Sequence, residues 1–184
     1  MLLQRAFSTR SLDFNMGIAP DLHELYAEFG MAAEKAQLLE VEAGNVALAF
    51  LAITVKPGEK VASGKREFFR QIVDDTNRQN LGKLLRVVKS LGTYAPSMIK
   101  TIDTALERRN HLTHHFFRTH NVAICNEAGR AEMIKELHEI RSELSIAVTM
   151  LSGVGATLLA LAGHEGMSKE AHDELVAKGR RLEI

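Results

Sequence analysis

Two apolar seams, each advancing in alternating steps of three and four residues, constrain this chain more than any other feature of its sequence. The first is Leu22, Leu25, Phe29, Ala32, Ala36, Leu39, Ala43, Val46, Phe50 and Ile53. The second is Met133, Leu137, Ile140, Leu144, Ala147, Leu151, Val154, Leu158 and Leu161. Such steps follow one face of a 3.6-residue helix. Sustained this long, each implies a helix of about 50 Å, at about 1.5 Å per residue. No stretch of useful length alternates with period two, and the chain has no internal repeat or low-complexity tract. The expected fold is all-α.

Punctuation supports this division. Pro20, with Asp21 and Glu24 in capping-box spacing, opens the first segment, and Lys56-Pro57-Gly58 closes it near Val55. A second segment is broken. Phe68, Phe69, Ile72 and Val73 lie in its first part, residues 74–80 are polar, and Leu81, Leu84, Leu85, Val88 and Leu91 resume helical spacing. After a turn from Gly92 to Pro96, a third helix is expected from Ser97, as N-cap, to about His120. The fourth runs from Asn126 to Ala162, and a short polar helix from Ser168 to about Arg181. Gly153 and Gly155 each cost about 1 kcal/mol of helix propensity, which a close helix contact would offset. The three prolines, at 20, 57 and 96, all fall between segments. The prediction is an antiparallel four- to five-helix bundle with two long helices and shorter ones. It forms one domain over residues 20–184, preceded by a flexible tail over residues 1–19.

At 184 residues, 46% of them apolar, the chain can bury a core without staples. Its one cysteine, Cys125, excludes an internal disulfide framework and a cysteine zinc cluster, and fits a reducing compartment. Residues 1–16 carry two arginines and no acid before Asp13, a faint likeness to a transit peptide, against which a frayed tail is preferred. Residues 144–163 lack charge for the length of a membrane span. Ser145, Thr149, Ser152 and Thr157 interrupt them, and their seam continues a charged amphipathic helix, so they are read as the buried half of a long helix. The expected location is cytoplasmic, with no membrane contact.

The 23 basic and 23 acidic residues cancel only over the whole chain. Residues 61–120 hold eleven basic and five acidic groups, between two acidic ends of net −3. The same third carries four of the eight histidines. A basic centre suggests a local anion site, and interhelical charge pairing is the plainer alternative.

The chemistry concentrates in Ala105–His120, ALERRNHLTHHFFRTH, with three arginines and four histidines in sixteen positions. The apolar stripe Met98, Ile102, Ala105, Leu112, Phe116 passes through Arg109, which places that guanidinium on the buried face. A buried guanidinium needs a partner. That partner is either a carboxylate of the first helix, such as Glu40 or Glu42, or an anion entering a recess whose floor is Arg109. Arg108 can point outwards. Asn110 and His114 are four apart and share a face, and Phe117 could wall the recess. A guanidinium grips two phosphate oxygens and an imidazole moves a proton near neutrality, which together suit RNA cleavage without a metal.

The run Arg109-Asn110-His111-Leu112-Thr113-His114 resembles the signature of the HEPN superfamily: an arginine, a polar residue, and a histidine after four to six intervening positions. Asn80-Leu81-Gly82-Lys83-Leu84-Leu85 is similar to a Leu-Gly-x-Leu pattern of several HEPN groups, and His115-Phe116-Phe117 to their aromatic continuation. The resemblance implies a helical bundle that dimerises, bringing two motifs into one cleft, and a metal-independent endoribonuclease of the toxin or abortive-infection kind, with RNA as substrate and an antitoxin as a possible partner. It implies that Arg109 binds the scissile phosphate, Asn110 orients it and His114 transfers the proton. Arg108, His111, His115, Lys83 and Arg86 are candidate substrate contacts. No cofactor and no metal are expected. Two other readings stand beside this one. One is a non-catalytic binding or scaffold module, in which Arg109 is a structural ion pair and His114 a helix-end residue. The other is a metal-binding bundle using Glu107, His111 and His114, joined by His115 or His120.

Overall fold

The computed structural model describes residues 20–54 and 81–163, together with Gly64, Glu67, Arg70, Gln71 and Asp74 between them. The expected N-terminal tail, the Phe68–Val73 stripe and the polar helix after Ser168 lie outside the described residues. Within them the fold is all-α. It consists of α1 (Pro20–Thr54), α2 (Leu81–Ser90), α3 (Pro96–His114), a one-turn α4 (Phe116–Thr119), a 3₁₀ turn (Ala123–Cys125) and α5 (Glu127–Leu161).

Both long seams are buried. Leu25, Ala32, Leu39, Ala43 and Val46 of α1 meet Met133, Leu137, Ile140, Leu144, Ala147 and Leu151 of α5, all fully shielded from solvent. Each large side chain buried this way contributes about 1.5–3 kcal/mol. Asp21 pairs with Arg130, Glu28 with Arg141, and Val46 faces Gly155. Partner numbers therefore rise together, and α1 and α5 run parallel. Lys89 of α2 pairs with Asp103 of α3, and α3 lies antiparallel to α5 through Arg108–Glu143 and His111–Glu136. α2 closes the core with Leu81, Leu84, Leu85 and Val88.

The ends of the elements correct several details. Asp21 sits inside the first turn of α1, and its carboxylate reaches across to Arg130. α3 starts two residues earlier than expected: Ala95, not Ser97, is the N-cap, in extended conformation, and Pro96 takes the first helical position, where its missing N–H costs nothing. α5 begins beside Asn126 as expected, and Asn126 caps it, its Oδ1 accepting from the Gly129 N–H at 2.8 Å. Gly129 is buried against the preceding 3₁₀ turn, and a Cβ there would lie 2.2 Å from the Ala123 carbonyl oxygen, so only glycine fits. Gly155 faces Val46 on the α1–α5 seam, whereas Gly153 is exposed with nothing near it, so helix contact accounts for the first alone.

The third helix does not run unbroken to His120. It ends at His114, and His115 adopts φ −126°, ψ −28°, before α4 begins. Just past the break, Phe116 is fully buried in the core beside Phe29, with ring centroids 5.8 Å apart. The apolar stretch of α5 is also buried along one stripe rather than all round: Leu144, Ala147, Leu151 and Gly155 are covered, while Ile146, Leu159 and Leu161 are exposed. α5 is long and apolar enough to cross a membrane, and 22% of its most apolar window is buried.

Candidate functional site

α3 lies between α1 and α5 and sends charge to both. Toward α1, Arg109 meets Glu40, the buried acid of the first seam. Glu40 Oε1 accepts from Arg109 Nη2 at 2.6 Å and from Nε at 3.0 Å. Only 13% of the arginine side chain and 8% of the glutamate are exposed, so this pair is far less screened than a surface one. Asn110 Oδ1 accepts from Arg109 Nη1 at 3.2 Å. The amide therefore holds the guanidinium rather than standing apart from it. Thr113 Oγ1 donates to the Arg109 carbonyl at 2.9 Å, tightening the same turn.

A recess of about 210 Å³ opens at this seam, lined by Phe29, Ala33, Gln37, Glu40, Arg109 and Thr113, among others. Arg109 thus has the α1 carboxylate beside it, and both line the recess. Phe117 does not line it. It packs on Phe29, with centroids 4.8 Å apart, and on Tyr26 at 6.2 Å. Tyr26 and Phe117 are exposed, and form an aromatic patch at the edge of the seam.

Toward α5, Arg108 does not point outwards. Its Nε pairs with Glu143, whose Oε1 also accepts from Nη2 at 3.5 Å. That hydrogen bond holds the Arg108 guanidinium above its ordinary pKa, against a smaller opposing effect of burial. His111 also turns to α5, with Nε2 2.8 Å from Glu136 Oε1. His120, carried back by the break at His115, places Nε2 2.6 Å from Glu136 Oε2. Arg108 and His111, expected to contact substrate, are thus engaged with glutamates of α5.

His114 and His115 are exposed at the end of α3, their rings 6.2 Å apart. Lys83 and Arg86 are exposed on α2, where Arg86 Nε donates to the Gly82 carbonyl at 3.3 Å. Arg109 and His114 are five residues apart, or about 140° around the helix, so one copy of α3 does not point both into one pocket. The expected Glu107–His111–His114 metal set does not assemble. Glu107 and His114 are exposed, and among the described residues the cluster with metal-ligand geometry is His111, His120 and Glu136. Sequence reasoning missed Glu136 and Glu143, whose partners are brought close only by the packing of α3 on α5. The i, i+7 spacing of the two glutamates on one face of α5 was the available signal. Cys125 is exposed, with its Sγ toward the Asn121 carbonyl. Comparison with family models, with curated proteins and with solved structures finds no match to this chain.

Proposed function

We propose that the chain is a HEPN-like, metal-independent endoribonuclease whose site is completed by pairing two copies of α3 in a homodimer. The observation that carries this reading is the placement of Arg109. Its guanidinium is fixed by Glu40 and Asn110 at the wall of a recess, while exposed His114 follows about 1.4 turns later. A fixed guanidinium pre-pays the cost of orienting charge toward a phosphate. Since Arg109 and His114 diverge around one helix, a second copy supplies the missing partner to each. The exposed Tyr26–Phe117 patch supports RNA as the ligand, because unpaired bases stack on aromatic rings.

In this reading His114 takes the proton of a 2′-hydroxyl as that oxygen attacks the adjacent phosphorus. The bond from phosphorus to the 5′-oxygen breaks, the leaving oxygen gains a proton, and a 2′,3′-cyclic phosphate and a 5′-hydroxyl result. Arg109 neutralises charge on the phosphorane. Asn110 and Glu40 position Arg109, and His115, Lys83 and Arg86 are the proposed outer phosphate contacts. The protein would act in the cytoplasm as a toxin or defence effector, restrained by an antitoxin partner.

The buried Glu40 favours a second reading. A carboxylate that already neutralises Arg109 suits a non-catalytic bundle that binds or scaffolds. Incubation of purified protein with total RNA in EDTA separates the two. Cleavage to cyclic-phosphate ends is expected, reduced about 100-fold or more by His114→Ala and by Arg109→Lys. A folded His114→Ala variant that cuts as well as wild type sinks the catalytic assignment, and absence of cleavage by wild type leaves the binding module.

A further inference from the structure

We propose that His111, His120 and Glu136 form a binding site for one divalent transition-metal cation, zinc by the chemistry of the donors. The site is separate from the proposed cleavage site, since Arg109 faces α1 while these three residues face or belong to α5.

The course of the chain brings the donors together. His111 and His120 are nine positions apart. On an unbroken helix they would point about 180° apart and lie about 13.5 Å apart along the axis. The break at His115 instead brings both imidazoles onto a single carboxylate, and the three donor atoms lie within 4.8 Å of one another. One polar atom of the cluster is unmet. His111 Nε2 is buried and makes no hydrogen bond, although it lies 2.8 Å from Glu136 Oε1. The contact is close but misaligned for an N–H donor, whereas a cation between the two groups satisfies both. The two rings also share support from the core. Phe116, fully buried, has its ring centroid 6.2 Å from that of His111 and 4.9 Å from that of His120, so one core residue orients both imidazoles.

Two imidazoles and a carboxylate are a borderline donor set suited to zinc, and three protein ligands leave a position for water. The side chains retain 27%, 17% and 27% exposure, which gives an ion a way in. Ligation at about 2.0–2.2 Å sets tetrahedral donors about 3.3 Å apart, so entry widens the two short contacts by about half an ångström. Bound there, the ion ties the α3–α4 break to α5.

Chelator-treated full-length protein, titrated with zinc against a chromophoric competitor, should bind one ion per chain at micromolar concentration or tighter. Glu136→Gln and His120→Ala should each weaken binding about 100-fold, while His138→Ala should not. A readout on wild type alone guards against unfolded variants: zinc should protect His111 and His120 from diethyl pyrocarbonate, read by peptide mass, while His114 and His115 still react. No binding by wild type, full binding by folded Glu136→Gln, or equal modification of His111 and His120 with and without zinc would each overturn the site.

Discussion

Arg109 and Glu40 show what a charge costs on an otherwise apolar seam. Each is nearly buried and each is satisfied mainly by the other, so removing one strands its partner. Arg109→Ala should lose about 3–5 kcal/mol in urea unfolding. The double variant Arg109→Met with Glu40→Leu should return close to wild-type stability, because two apolar residues fill the space without desolvating any charge. If the proposed chemistry is right, that stable double variant still fails to cut RNA. The buried position of Arg109 was legible from the three-four rhythm alone, and Glu40 was one of two acids in reach on the first helix. The engagement of Arg108 was not legible. Its partner Glu143 lies 35 positions away, and nothing local distinguishes an arginine that faces a second helix from one that faces water.

At the scale of the element, the caps and breaks separate local from tertiary causes. The start of the last long helix near Asn126 was readable, whereas Asp21 and Ser97, read as caps, both lie inside their helices. The break at His115 was not readable, since Ala105–His120 holds no glycine or proline. Phe116, just past the break, is fully buried in the core. Two of the three glycines of α5 make the same distinction testable. Gly129→Ala should destabilise by about 2 kcal/mol or more, since its Cβ would collide with the Ala123 carbonyl backbone. Gly153→Ala, exposed with open space around it, should stabilise by about 0.5–1 kcal/mol through helix propensity. Thermal or urea unfolding of both variants checks the pair of signs.

For the whole molecule, the all-α class and the two long helices followed from periodicity. The parallel course of α1 and α5 did not, because short connections speak only about consecutive helices. The proposed composite site makes a prediction at this scale: sedimentation at micromolar concentration should give about twice the 20.4 kDa of the chain. A clean monomer there counts heavily against a shared cleft.

The pairing of first long helix with last has a consequence in time. Asp21 meets Arg130, 109 residues later, so the face of α1 that α5 covers has no α5 to cover it until synthesis has advanced by that length. At about 5–20 residues per second, the delay is about 5–20 s. During it Leu25, Leu39 and Val46 lack their α5 neighbours, and a ribosome-associated chaperone that shields apolar helices should raise the yield of native protein.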